Sequence, residues 1–399
     1  MSVGWEGQLH KSRERILVTH AGSLPRGEPL GSMLIDQEAG KPVNPYTLKN
    51  AIEARVTHVL NKQVEVGVDE VNEGEQGRIG FQTYVAQRML GFGGVSNRPY
   101  GKDWITFPQF SERFFQRLPQ RIGKVNNAPQ AISDIEYQGA DLIAAETERL
   151  KRLAAPIKSR VTDIFMNAAA PGIIATTMLN AHYKTYEDYL SAIAREMHKE
   201  YAAVVNAGFI LQLDAPDLAM ERTMLFQDKT DAEFVKVLEQ HVEALNLAVA
   251  GLPADRVRLH VCWGNWEGPH VHDVPMEVIL PTLYKAKVGA LGLEFGNSRK
   301  QHETAAIRKH KLPPNMMLIA GVIDSKSNMV EHPEVVAQRI ESIVAAVGDR
   351  EQVIAGVDCG FGTFVGWEWV TEDVVWAKLK TLREGADIAS RRLWGRKAT

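Results

Sequence analysis

Arg256-Val257-Arg258-Leu259-His260-Val261-Cys262, followed after a helix-patterned stretch at 274–288 by Ala290-Leu291-Gly292-Leu293-Glu294-Phe295-Gly296, decides the fold of this 399-residue chain. Each run is short, apolar and tipped with polar residues, as a strand with a buried body and a chemically useful end would be. Similar runs recur at 16–21, 67–72, 130–137, 162–168, 208–214, 316–323 and 352–357. Amphipathic helical stretches at 45–66, 141–153, 186–207, 232–250 and 333–347 fall between many of them. Strand and helix alternating along one chain argue for a parallel sheet, and this many units argue for closure into a barrel. The nine runs exceed eight by one. The run at 130–137 goes to an inserted cap, because the stretch before it, 76–127, is a long excursion rich in aromatic residues and glycine. The expected fold class is therefore α/β: a single (β/α)8 TIM barrel over residues 1–399, with a cap inserted after the second strand at 76–160. No low-complexity linker or internal repeat marks a further domain boundary.

Composition narrows the function. With 45% hydrophobic and 24% charged residues the chain reads as an ordinary globular protein able to bury a large core. The net charge of -3 and the scatter of Lys and Arg give no basic surface for nucleic acid. Residues 1–7 lack a basic segment followed by an apolar one, so no signal peptide is expected. The least charged stretch, 164–182, is interrupted by Pro171 and Gly172 and is too polar for a membrane span. A cytoplasmic location is expected.

The chain has two cysteines, Cys262 and Cys359. His260 and Cys262 share one face of their strand, since side chains repeat every two residues, and both can reach one ion. An isolated His-x-Cys is well explained as a core histidine beside a small apolar thiol. Glu294 and Cys359, at two further strand ends, tip the balance toward a metal site, and zinc accepts such mixed ligands. Cys359 precedes Gly360-Phe361-Gly362, a turn that lets the backbone bring a thiolate close to an ion. A disulfide across this spacing is the lesser alternative. His270-Val271-His272-Asp273 lies in a loop without a cysteine and reads as solvated or supporting. Glu73 and Glu75 are either a charged helix start or a grip for an ammonium group. Gly91-Phe92-Gly93-Gly94 does not follow a strand and open a helix, so it carries no phosphate cradle. Ser23, Glu75, Asp214, His260, Cys262, Glu294, Asp324 and Cys359 all fall where strands end, and one shared site explains them together.

These segments resemble the cobalamin-independent methionine synthase family, specifically its C-terminal catalytic barrel and single-barrel relatives. The resemblance runs from about residue 19 to about 363. It is carried by His20-Ala21-Gly22-Ser23-Leu24-Pro25-Arg26, Gly74-Glu75, Gln212-Leu213-Asp214-Ala215-Pro216, His260-Val261-Cys262, Glu294 before Asn297-Ser298-Arg299, Gly321-Val322-Ile323-Asp324-Ser325-Lys326 and Asp358-Cys359-Gly360. It implies a zinc ion held by His260, Cys262, Glu294 and Cys359. It also implies that Ser23, Glu75 and Asp214 bind the amino acid part of a homocysteine-like thiol, the two carboxylates gripping its ammonium. The chain departs from the family in three ways: it is too short for the second, N-terminal barrel; Lys326, near Asp324, stands where the synthases have a proton-donating histidine; and 176–180 lacks their tryptophan for the pterin. Lys326 and Asp324 are accordingly the candidate catalytic pair.

Three functions are compatible with this pattern. In the first, a methyl group moves from methyltetrahydrofolate or another methyl carrier to the thiolate of homocysteine or a similar thiol. In the second, the same thiolate chemistry opens an epoxide with coenzyme M, where Lys326 would steady the alkoxide. The third is a zinc-stabilised barrel that only binds. The expected partners are a small-molecule thiol and a methyl or alkyl donor, without nucleic acid or membrane; oligomerisation stays open.

Overall fold

A computed structural model of the chain describes residues 6–117 and 128–395. Its strands are β1 (Leu17–Val18), β2 (Glu70–Val71), β3 (Met89–Gly93), β4 (Gln130–Tyr137), β5 (Asp163–Ala169), β6 (Ile210–Asp214), β7 (Val257–His260), β8 (Ala290–Glu294), β9 (Met317–Ile323) and β10 (Val353–Val357). Eight of them form one sheet in the order β1-β10-β9-β8-β7-β6-β5-β2, all neighbours parallel, while β3 and β4 pair antiparallel in a separate hairpin. The sheet nearly closes. At the seam Asp69 N donates to Val18 O at 2.9 Å and Thr19 Oγ1 to Glu70 O at 3.1 Å. The Asp69 carboxylate itself takes the Val18 N–H at 2.8 Å. A side chain thus replaces part of the ladder, and β1 and β2 are shorter than the apolar runs that contain them.

The eight barrel runs and the cap strand β4 stand where the hydrophobic pattern puts them, while its hairpin partner β3 has no counterpart among the apolar runs. The outer helices form for local reasons. Thr230 and Glu233 make a reciprocal capping box at the start of Asp231–Ala248, which then buries Phe234, Val237, Leu238, His241, Val242 and Leu245 along one face. Asn44 caps Pro45–Glu65 by accepting from Tyr46 N and Thr47 N, with proline at the first helical position. The helix expected over 274–288 is only Met276–Leu283. Ala140–Ala154, within the range expected for the cap, instead packs between Pro45–Glu65 and Tyr186–Asn206 in the outer ring.

The barrel interior is layered. Leu17, Phe165, Ile210, Ala290, Met317, Ile319 and Ile354 form an apolar cluster of their own. One or two turns of the pleat higher, the same faces carry Arg258, Gln212 and Asn167, and then Asp214, His260 and Glu294. Arg258 is 1% exposed, and its guanidinium reaches Glu70 at 2.7 Å, Gln212 at 2.7 Å, Thr19 Oγ1 at 3.1 Å and the His20 carbonyl at 3.0 Å, over the Phe165 ring. This paired polar layer is the floor of the site. No helix of the described residues is long and apolar enough to cross a membrane.

Candidate metal centre and substrate cavity

At the C-terminal mouth of the barrel, strand register does the assembling. Asp214 pairs with His260 across β6 and β7, and His260 with Gly292 across β7 and β8, two residues below Glu294. Beyond the end of β10, Asp358 accepts from Phe295 N, Gly296 N and Asn297 N at 3.1, 2.7 and 2.8 Å. This buried carboxylate therefore fastens the turn after Glu294 to the residue preceding Cys359. Gly321 is needed for it, because a Cβ there would come within 2.6 Å of the Asp358 carboxylate. The sequence marks Asp358 only as the neighbour of Cys359; its role as a clamp comes from the fold.

His260, Cys262 and Cys359 bring one ligand atom each to within 4.8 Å of one another, all buried. The two sulfurs are 3.7 Å apart, far outside a disulfide bond, and both cysteines are free. Cys359 donates its proton to Cys262, and this, with His260 alongside, brings the Cys262 thiol down to about 6, while Cys359 is pushed up. Burial would lower the His260 pKa, but the hydrogen bond to Cys262 and the nearby carboxylates outweigh it and raise it. His260 Nε2 is buried with no partner, a vacant donor atom that a metal ion would satisfy. The donor set suits such an ion.

Glu294 sits beside this group but is not part of it. Its Oε1 accepts from Trp263 N at 3.2 Å, and its Oε2 from Asn297 Nδ2 at 3.1 Å and Lys326 Nζ at 3.0 Å. Lys326 is buried, and although burial disfavours its charge, Glu294, Asp358 and Cys359 raise its pKa far above the usual lysine range. It is a fixed cation. Asp324 accepts from Lys326 N and Ser327 Oγ, both at 3.0 Å, and shapes that loop. Neither Asp324 nor Lys326 lines the cavity over the metal group.

Ser23, Glu75, Asp214, His260, Cys262 and Cys359 all line one cavity. Asp214 accepts from Asn167 at 2.8 Å and Gln212 at 2.7 Å, and burial raises its pKa. Glu75 has a positive φ of 53° and is 1% exposed. Its Oε2 has no hydrogen-bond partner; Arg26 stands 3.9 Å away. Burial, and Asp214 next, push the Glu75 pKa up to about 8. Ser23 Oγ lies over Gly360, so close that a Cβ there would fall 1.9 Å from it. The rest of the wall was not anticipated from the residue pattern: Phe81 and Trp104 from the cap, Trp266 after β7, and Phe364 and Trp367 after β10. A Trp-rich sequence at 263–266 and 367–369 was its only local sign. His270 stacks on Trp266 with ring centroids 4.5 Å apart and bonds Asp273, which pairs with Lys300 at 3.0 Å; the His-x-His segment supports the loop.

The cobalamin-independent synthase catalytic domain matches residues 173–384. The chain belongs to that family. Among its relatives, the 2-hydroxypropyl-CoM lyase of Xanthobacter autotrophicus is 25% identical over 375 residues, covering 86% of each chain. The methionine synthase of Saccharolobus solfataricus is 25% identical over 382 residues, covering 94% of this chain and 95% of its own. The fold is that of a B12-independent methionine synthase from Shewanella sp. W3-18-1, solved in complex with selenomethionine, at a TM-score of 0.71, 20% identity and coverage of 96% and 99%. The chain is a transferase of the methionine synthase-like kind, acting on small molecules, and the reading as a barrel that only binds falls away.

Proposed function

We propose that the protein transfers a methyl group to the sulfur of a homocysteine-like amino acid thiol, at a zinc site formed by His260, Cys262 and Cys359, with Glu294 beside it. The observation that carries it is the pair of buried carboxylates, Glu75 and Asp214, lining the same cavity as the His-Cys-Cys group, with one Glu75 oxygen unpartnered. Arg26, at 3.9 Å, is too far to donate to it, and an unmet buried oxygen is costly, a cost that an amino acid's ammonium would remove by donating there. The sulfur spacing supports zinc: two thiolates at about 2.3 Å from a tetrahedral ion lie about 3.8 Å apart, close to the observed 3.7 Å. Bound zinc would supply a thiolate at neutral pH from a substrate thiol that is otherwise mostly protonated.

The protein's own groups then have distinct tasks. Glu75 and Asp214 hold the ammonium, and Ser23 the amino acid part next to it, which fixes the direction from which the sulfur approaches the donor. Asp358 keeps the loops carrying Glu294 and Cys359 in register. Lys326 balances the buried negative charge of Glu294 from behind the cavity wall. The aromatic wall keeps water from the thiolate. Coenzyme M fits less well, because it brings no ammonium for Glu75 and Asp214 to hold, and Lys326 is not in the wall to receive an alkoxide. The deciding experiment gives zinc-reconstituted protein homocysteine or coenzyme M with a panel of donors and identifies the product. Methionine formation supports the proposal, whereas reaction of coenzyme M with an epoxide and none of homocysteine would overturn it.

A further inference from the structure

We propose that the aromatic side of the cavity is a cage for a methylated onium cation, a sulfonium or quaternary ammonium, and that this cation is the methyl donor; the inference rests on the methyl-transfer reading above. Two groups of rings line it. Trp104 and Trp266 lie with centroids 5.6 Å apart at 47°. Phe364 lies 5.6 Å from Phe81 at 65° and 6.3 Å from Trp367 at 48°. All five line the cavity. Several aromatic rings lining one cavity can offer their electron-rich faces to a cation that has no N–H to donate, the way methylated cations are recognised.

The charges of the wall point the same way. Its carboxylates are Glu75 and Asp214, and among the described residues its only Lys or Arg is Arg98, whose guanidinium is bonded to the buried Glu221. Among the described residues, a donor with an anionic tail finds here no cation that is not already paired with a carboxylate. Among the described residues the wall also holds no lysine to act as an acid; Lys326 lies outside it on Glu294. An onium donor needs none. The acceptor thiolate forms the new S–CH3 bond with its own electron pair, and the old bond from methyl carbon to the cationic sulfur or nitrogen breaks. Its electron pair stays on the leaving atom, which departs as a neutral thioether or amine. Negative and positive charge cancel without a proton changing hands.

The test uses full-length zinc-loaded protein and two probes of one shape: choline, and its uncharged carbon analogue 3,3-dimethyl-1-butanol. Calorimetry should show choline bound at least about tenfold more tightly, as a desolvated cation–π site predicts. Trp104→Leu should abolish that preference and Trp104→Phe, which keeps a ring face, should restore much of it. Trimethylsulfonium should methylate homocysteine, with its KM raised in Trp104→Leu. Equal binding of the two probes would overturn the cage. Methylation of homocysteine only by methyltetrahydrofolate, unaffected by choline, would overturn the donor assignment and leave the acceptor reading intact. Homocysteine inert toward every donor, with choline still preferred and the Trp104 series unchanged, would uphold the cage and sink the acceptor reading.

Discussion

Glu75→Gln removes a charge at constant shape, and its effects on the empty and the loaded site are opposite in sign. Burial and the neighbouring Asp214 move this carboxyl from 4.5 to about 8. Between those values the unfolded chain has released a proton that the folded site keeps, so folding weakens as pH rises through that window, by about 1.4 kcal/mol per pH unit. Integrated, the penalty is about 1 kcal/mol at pH 5 and about 4 kcal/mol at pH 8. The amide's own unmet hydrogen bonds do not depend on pH and cancel in the comparison. Wild type should therefore lose on the order of 3 kcal/mol more than Glu75→Gln between pH 5 and pH 8, read by urea unfolding of the substrate-free protein. Substrate reverses the sign. Losing one partner of a buried charged pair costs about 2–5 kcal/mol, and the wild type spends about 1.4 kcal/mol of that ionising Glu75 at pH 7. The remaining ~1–4 kcal/mol is a rise of about five- to several-hundred-fold in KM for homocysteine at pH 7. Below about pH 8 the wild-type KM should fall about tenfold per pH unit, as the ionised fraction grows, and the variant should lose that slope. Identical pH dependence of stability in the two proteins, with KM unchanged, would refute the assignment of Glu75 as the ammonium grip.

Three further outcomes follow from the same geometry. Cys262→Ser and Cys359→Ser should each drop from about one zinc per chain to a small fraction of it by elemental analysis; full retention in both would remove the metal site. Lys326→Met leaves Glu294 buried and uncompensated, so it should cost about 3–5 kcal/mol in urea unfolding, and Lys326→Arg less. An unchanged midpoint would mean that the Lys326–Glu294 pair contributes nothing to the fold. Gly360→Ala forces Ser23 Oγ away from a position 1.9 Å from the new methyl. It should raise KM for the thiol while metal content and unfolding midpoint stay close to wild type, and an unaltered KM would show that Ser23 takes no part in binding.

What could be read from the residues is what depends on local pattern. The eight barrel runs, the cap strand at Gln130–Tyr137 and the ligand-type residues at strand tips announce themselves through a two-residue period and side-chain chemistry, both of which survive without knowledge of the partners. His260 and Cys262 share a strand face by that rule, and the structure joins them to Cys359. Pairing between distant segments is a different matter, because barrel closure sets which residues stand at one height. Arg258 looks like an interruption of an apolar strand until Glu70, Gln212 and Thr19 are brought around it. Lys326 reads as a candidate acid until its ammonium is found on Glu294, and Asp324 as its partner until both oxygens turn to the loop. Glu75 is one more glutamate in a polar turn, and only the walls around it decide that one oxygen is left without a partner. The aromatic cage draws on rings from Phe81 to Trp367. No local period links these positions, since it is the tertiary fold that brings Phe81 and Trp104 of the cap to the same cavity as Trp266, Phe364 and Trp367.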